Sequence, residues 1–388
     1  MRSNRIESTT DTSHGMPNRI AFLLADFQSG GTEWFALRLA RGFLLKDIKP
    51  IFFVLNPQGD LEPLVDEGIE IISLGSKGYS FSKALSALPA LVRALQKSRP
   101  DVLLGGLTIL NIVASLALIV ARVPTRFIAI EHMRLGTSPV SNSLWAQIKR
   151  QLKIALVRLS YARADKIVAV SQSAKQDLIH CAKIAPNKIN VIHNPIIPED
   201  FAALRAKEPP HPWLRDKTTP VIVSIGRLLE NKDFSSLLRA FEKITHATKA
   251  RLIIFGEGDE RPALEALIKE LDLSSRATLG GQIDNVFSAL NAADLFVLPS
   301  RSEAFGNVIV EALACGCPVV STDSGGPREI LENGALGILV PPNDTKELAS
   351  AMLCFITLSP SGKSQRLAHG QSYDVESTVQ AYLALLEN

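Results

Sequence analysis

The 388-residue chain has only four cysteines, Cys181, Cys315, Cys317 and Cys354, and no CxxC pair. A disulfide framework or a structural zinc site needs more sulfur in closer spacing, so neither is expected, and a reducing, cytoplasmic setting is the natural reading. Neither a Walker A loop nor a GxGxxG fingerprint occurs. The basic residues are spread out and fall in no nucleic-acid-binding motif, so nucleic acid is not an expected partner. Residues 1–17 are polar, without the apolar stretch of a signal peptide, and are expected to form a disordered tail. The longest apolar stretch, 102–123, contains Gly105, Gly106, Thr108, Asn111 and Ser115. These divide it into a strand, a turn and a helix rather than a membrane span.

What is present is a globular composition, 46% hydrophobic and 21% charged. The length exceeds the ~250–300 residues at which a single core stops growing, so two domains are expected. Residues 1–200 carry 24 Lys/Arg against 16 Asp/Glu, a net of +8, and residues 201–388 carry 18 against 23, a net of −5. Halves of opposite sign suit different partners.

Strand-like apolar runs alternate with helix-length amphipathic segments along the whole chain. The first set of strands falls at 20–25, 51–55, 69–74, 102–104, 126–130, 166–170 and 190–192. The second falls at 221–225, 251–255, 277–279, 295–298, 318–321 and 338–340. Helices are expected between them, at 33–45 and 82–97 for instance. Near-continuous Val/Ile/Leu strands alternating with helices mean parallel sheets covered on both faces. The fold class is therefore α/β, with two doubly wound, Rossmann-like domains. Prolines at 195, 198, 209, 210 and 212 break any helix between the sets. The domains are placed at 18–195 and 219–370, with a linker at 196–218 and a terminal helix at 371–388 that crosses back to the first domain. Ligands of open parallel sheets sit beyond the carboxyl ends of the strands, so the cleft between the two sheets is the expected site.

Three loops at strand ends carry candidate chemistry. Ser29-Gly30-Gly31-Thr32-Glu33 joins a strand to a helix, where two glycines admit a close ligand and the helix amino terminus offers free N–H groups. It also suits a plain glycine turn with a Thr cap. Gly226-Arg227 through Lys232 occupies the same place in the second domain, and Arg227 and Lys232 suit a pyrophosphate. Solvated loop cations are the alternative. Third, Pro299-Ser-Arg-Ser-Glu303-Ala-Phe305-Gly306-Asn307-Val308-Ile-Val-Glu311 follows a strand, with Gly306 opening a helix that Gly316 stops. Glu311 then lies among apolar neighbours and needs a partner. Sugar hydroxyls supply one, since a carboxylate accepts from two vicinal OH groups, and a structural salt bridge is the competing reading.

Glu303 and Glu311 form an E-x7-E pair, and with it the chain resembles the retaining glycosyltransferase family 4, group 1 glycosyltransferases of GT-B fold. Segments in the family's order support this: Gly30-Gly31, Val168-Ala-Val-Ser171, Val191-Ile-His-Asn-Pro195, Gly226-Arg227 to Lys232, Gly256-Glu-Gly-Asp259 and Gly325-Gly326-Pro-Arg-Glu329. The resemblance implies transfer of a hexosyl or N-acetylhexosaminyl group, with retained configuration, from a nucleotide-diphosphate sugar to a hydroxyl of a lipid-linked or cell-surface glycan. UDP is the commonest nucleotide in such enzymes. Arg227 and Lys232 are then diphosphate ligands. Glu303 touches the sugar beside the backbone N–H groups of Phe305 and Gly306, and Asn307 and Val308 face the diphosphate. Glu311 holds the ribose, and Gly256, Gln282 and Ile283 flank the base. His132, after the strand at 126–130, falls where the family carries a histidine near the reacting carbon, with Glu131 orienting it or meeting the acceptor. His193 reads as hinge packing. No cofactor and no metal are implied, because fixed cations replace the ion. A front-face route is the family-based expectation, and a covalent one stays open.

Residues 144–166 interleave Lys149, Arg150, Lys153, Arg158, Arg163 and Lys166 with Trp145, Ile148, Leu152 and Leu159. This basic amphipathic stretch suits peripheral contact with the cytoplasmic face of an anionic membrane; an ordinary solvated helix face is the alternative. Two other function classes compete with transfer: a non-catalytic nucleotide-sugar-binding protein, and a nucleotide-sugar epimerase of the same fold. Glu303 and His132, dispensable to a mere binder, favour the transferase.

Overall fold

The computed structural model describes residues 16–76, 80–137, 143–358 and 361–387. The expected tail at 1–17 therefore lies, up to residue 15, outside the described residues. The first domain holds a seven-stranded sheet: β1 Arg19–Leu24, β2 Lys49–Val54, β3 Glu70–Ser73, β4 Val102–Gly105, β5 Arg126–Glu131, β6 Lys166–Ala169 and β7 Ile189–Val191, in the order 3-2-1-4-5-6-7. The second holds six: β8 Val221–Ile225, β9 Arg251–Phe255, β10 Ala277–Gly281, β11 Leu295–Leu298, β12 Val319–Thr322 and β13 Ile338–Val340, in the order 10-9-8-11-12-13. Every pairing is parallel. In each sheet the order reverses beside the first strand of its domain. The loops after β1 and β8 therefore open at topological switch points, where ligands of such sheets bind.

Strands such as β8, VIVSI, are buried throughout, because helices cover both faces. The Phe234–Ile244 helix shows how: Phe234, Leu237, Leu238, Phe241 and Ile244 fall on one stripe and are buried. The span 102–123 is β4 followed by the Thr108–Ala121 helix. Among the described residues no helix is long and apolar enough to cross a membrane. One expected helix, 82–97, is two, Phe81–Ser86 and Leu88–Ser98. Pro89 is the reason: it lacks an N–H and its ring collides with the carbonyl four residues back, so it starts a helix instead of continuing one.

The region 196–218 contains two short helices, Phe201–Ala206 and Pro212–Arg215. The chain crosses between lobes twice, side by side: the Ile196 and Ile197 amides donate to the Tyr373 carbonyl at 2.9 and 3.0 Å, and the Val375 amide returns a bond to Ile197 at 3.2 Å. The Val375–Glu387 helix then packs on the first domain's Gly31–Leu44 helix, with Tyr382 buried against Phe35. One hydrophobic cluster consequently runs from the first sheet through the hinge into the second.

Gly42 allows that helix pair a close approach, since a Cβ there would stand 2.4 Å from Cγ2 of Val379. Valine is stiff at χ1 and cannot swing clear. Gly42→Val is expected to cost about 2–3 kcal/mol in denaturant titration, and adding Val379→Ala should recover part of it. Undiminished stability in the single variant would contradict this packing.

Candidate active site

Both lobes present their glycine loops to one crevice. After β1, Gly30 caps the Gly31–Leu44 helix in extended conformation and has no side chain to cover the first-turn amides, of which that of Glu33 is taken by its own carboxyl. A Cβ on Gly31 would lie 3.3 Å from Nδ2 of Asn307. The first lobe's loop thus faces the amino terminus of the second lobe's Asn307–Ala314 helix, where Val308 is half-buried. Nδ2 of Asn194, at the hinge, donates to Oδ1 of Asn307 at 2.9 Å.

After β8, Gly226 leads to the exposed Arg227. Gly256, after β9, has φ +139°, and a Cβ on it would be 1.9 Å from the Gly226 carbonyl oxygen. Only glycine permits that approach, which packs the two strand-end loops together. Lys232 ends a short 3-10 turn, and its Nζ donates to Oε1 of Glu303 at 2.5 Å. Ser300 Oγ donates to the same oxygen at 2.7 Å. Across the crevice, burial pushes the Glu33 carboxyl up to about 7, against hydrogen bonding to its own amide and the attraction of nearby Arg227.

Glu311 is buried on the second turn of its helix and receives no side-chain hydrogen bond from the described residues. Burial raises its pKa, and Arg38 of the first lobe opposes the rise. The Arg38 guanidinium lies over the Trp34 ring at 5.1 Å and donates to the Pro195 carbonyl at 3.2 Å. Phe305 is buried between His193, stacked at 5.4 Å, and Tyr373 at 5.8 Å. His193 meets Oε1 of Glu329 at 2.8 Å, so it does pack at the hinge and also touches the loop carrying Glu303. Gln282 reaches the other lobe, Nε2 to Oδ2 of Asp60 at 3.3 Å, and Ile283 packs half-buried on the core.

His132 follows β5 with its ring edge-on to Phe35, centroids 4.6 Å apart. Its Nε2 is buried without a hydrogen-bond partner among the described residues. Burial lowers its pKa to about 3, so the imidazole is neutral. It hydrogen-bonds to none of the other site residues. Glu131 neither orients His132 nor faces the cleft. It is fully buried, accepting from Thr108 Oγ1 at 3.0 Å, Tyr161 Oη at 2.6 Å and the Met133 amide at 3.1 Å. A carboxylate at a strand end reads as exposed; what made this one internal is Thr108 and Tyr161, distant in sequence. Ser300, Arg38 and Asn194 carried no assigned role in the sequence, although Ser300 lies within the motif itself and Asn194 within the one at the boundary.

The architecture is GT-B: two facing parallel-sheet domains with the motifs gathered between them. Residues 29–200 match the model of Glycosyltransferase Family 4, and residues 207–369 that of the glycosyl transferases group 1. The chain belongs to this family. It is 36% identical over 186 residues, 48% of this chain and 49% of the other, to the Campylobacter jejuni N-acetylgalactosamine-N,N'-diacetylbacillosaminyl-diphospho-undecaprenol 4-alpha-N-acetylgalactosaminyltransferase. To the Rhizobium meliloti lipopolysaccharide core biosynthesis glycosyltransferase LpsE it is 35% identical over 174 residues, 43% of this chain and 49% of that one. The matched stretch spans about half the length of such curated relatives. Anabaena HepE, solved with UDP and glucose, superposes with a TM-score of 0.77 at 23% identity, covering 96% of this chain and 99% of that one. This likeness shows the fold.

Burial holds the Glu131 carboxyl at about 7, from an ordinary 4.5, against its hydrogen bonds from Tyr161, Thr108 and Met133 and the charge of Lys153. A raised carboxyl pKa means that the folded protein binds the extra proton. The associated stability is complete below pH 4.5 and is lost as pH rises to about 7, on the order of 3 kcal/mol. Glu131→Gln should therefore be less sensitive to pH over that range in chemical denaturation, gaining on the wild type at pH 8. Parallel stability profiles would refute the raised pKa.

Proposed function

We propose that this protein is a retaining, metal-independent glycosyltransferase. Its donor is a nucleotide-diphosphate sugar, UDP-linked by first choice, from which a hexosyl or N-acetylhexosaminyl group passes to a hydroxyl of a lipid-linked or cell-surface glycan. The observation that carries this reading is the Lys232–Glu303–Ser300 cluster, facing a crevice that also holds Arg227, Gly31, Asn307 and the unpartnered Glu311. A binder needs Arg227 and Glu311 alone. Family membership supports transfer, and the names of the Campylobacter and Rhizobium relatives support a lipid-linked or lipopolysaccharide acceptor.

The chemistry follows from charge. As the bond from the anomeric carbon to the phosphate oxygen breaks, negative charge grows on the departing diphosphate. Lys232 has three N–H donors and gives one to Glu303, so it can hold a phosphate oxygen without releasing the carboxylate. Arg227 offers a planar fork, and the open amides at Gly31 and Asn307 add partial positive charge. In the front-face route the acceptor oxygen bonds to the anomeric carbon from the side the diphosphate leaves. The acceptor proton passes to the departing phosphate oxygen, and configuration is kept. Glu303 takes the sugar hydroxyls on one side and Glu311 the ribose on the other.

Peripheral membrane contact belongs to the same reading. On the Leu144–Tyr161 helix Trp145 is 73% exposed, and Ile148, Leu152 and Leu159 are exposed with it beside Lys149 and Lys153. The adjoining Thr108–Ala121 helix exposes Ile119 and Val120. Lysine beside apolar side chains matches an anionic bilayer, with about 1 kcal/mol per cation near the surface.

A panel of UDP-, GDP- and ADP-sugars, with and without membrane lipid extract, tests the transfer; the product should keep the donor's anomeric configuration by NMR. EDTA should leave the rate unchanged, and strict dependence on Mg²⁺ or Mn²⁺ would contradict the fixed-cation account. Lys232→Ala should lower kcat roughly ten- to a hundredfold, the worth of one charge-assisted hydrogen bond in the transition state. In flotation, the protein should rise with anionic vesicles at low salt and Leu152→Glu should weaken that; absence of binding would exclude the membrane face.

A further inference from the structure

The loop that bears Glu303 is held partly by the other lobe. Ser171 lies two residues beyond the first domain's β6, at the cap of the Gln172–Ala182 helix, and is fully buried. Its Oγ accepts from the Ala174 amide at 3.0 Å, capping the Gln172–Ala182 helix, and donates to the Ala304 carbonyl at 2.5 Å. A second grip lies alongside: Arg134 Nη1 donates to the Ser324 carbonyl at 2.9 Å, and the same oxygen accepts the Glu303 amide at 3.0 Å. A third contact closes the set. Oε2 of Glu329 accepts the Gln172 amide at 2.7 Å while its Oε1 meets His193, which stacks on Phe305.

The consequence lies in the peptide bond. The described chain contains no cis peptide, and in a trans peptide the carbonyl and the next residue's N–H point in opposite directions. Holding the Ala304 carbonyl on Ser171 therefore fixes where the Phe305 N–H points. Neither the Phe305 nor the Gly306 amide donates to an acceptor among the described residues. These two N–H groups stand open next to Glu303.

We propose that Ser171 is a positioning residue for the donor: its hydroxyl, supplied by the first lobe, sets the Ala304–Phe305 peptide so that the Phe305 and Gly306 amides are presented to the donor while the lobes are docked. This rests on the transfer reading above. The site for the transferred group is thereby completed from the acceptor side of the cleft, whereas the nucleotide end, at Arg227 and Glu311, is built within the second lobe.

The test uses the full chain with Ser171→Ala and the conservative Ser171→Thr. In Ser171→Ala, hydrogen exchange over 299–310 should be faster in the empty protein. With the donor that the wild type uses, kcat should fall roughly ten- to a hundredfold, less than the ~10²–10³ that outright removal of such a donor costs, because the amides are displaced and not removed. Binding of free UDP, measured by calorimetry, should stay within about twofold, and Ser171→Thr should regain most of the rate. Loop exchange and kcat like the wild type's would overturn the proposal. So would a loss of UDP affinity that matches the loss of rate, since that indicates general damage. Lost capping of the Gln172–Ala182 helix costs about 1 kcal/mol; should Ser171→Ala not fold, Arg134→Met removes the neighbouring grip and carries the same readouts. A wild type that transfers from no sugar nucleotide would defeat the functional reading, while the exchange measurement would still decide whether Ser171 holds the loop.

Discussion

Parallel strands impose the constraint from which the rest of this molecule follows. Every strand in both sheets runs the same way as its neighbours, so each lobe has one edge at which all its strands end and its helices begin. Amide N–H groups at helix starts point out of that edge, and so do the loops that can carry charged side chains. Setting two such edges face to face concentrates partial positive charge, Arg227 and Lys232 in one crevice. Such a crevice suits an anion, and the carboxylates within it must be compensated or turned to another use.

The carboxylates divide accordingly. Glu303 is compensated within its own lobe by Lys232 and Ser300. Among the described residues Glu311 receives no side-chain hydrogen bond; burial raises its pKa and the charge of Arg38 opposes the rise. A buried carboxyl left in that condition is costly unless something donates to it, and the vicinal hydroxyls of a ribose are suited to do so. Glu131 is satisfied by protein donors alone and belongs to the scaffold. The three acidic groups look alike in the chain, and their partners make them different.

That contrast explains what could be read from the residues. The thirteen described strands were legible: a central strand buried on both faces is a run of Val, Ile and Leu bounded by Gly, Pro or charge, and that pattern is local, while the exposed edge strand β3 still shows its Ile71-Ile72 pair. The E-x7-E motif was legible for the same reason, since it lies within one loop and the first turns of the helix that follows, although the loop bearing Glu303 is held in part by the other lobe. Properties conferred from a distance were not. Glu131 is internal because of Thr108 and Tyr161. Arg38 matters because the Gly31–Leu44 helix is set against the hinge at Pro195. The helix expected at 82–97 divides at Pro89 for a local reason that was present in the residues, and apolar periodicity continued across it.

The hinge shows why the distant contacts are organised as they are. Two chain crossings bonded to each other at Ile196, Ile197 and Tyr373 leave the lobes little freedom to slide, and the terminal helix anchors the second crossing to the first domain's core. A rotation about this line is the motion that two such crossings leave easiest. In such a rotation, contacts near the line, such as His193 on Phe305 and Glu329 on Gln172, would change less than an exposed one such as Gln282 to Asp60. Under the transfer proposed above, a loop held by the first lobe close to the hinge would retain that hold through a small rotation, so binding energy would go into closing the rim rather than into reordering the loop. Closure of such a rim would also exclude water from the crevice. For a transfer that competes with hydrolysis, that exclusion decides which nucleophile reaches the anomeric carbon.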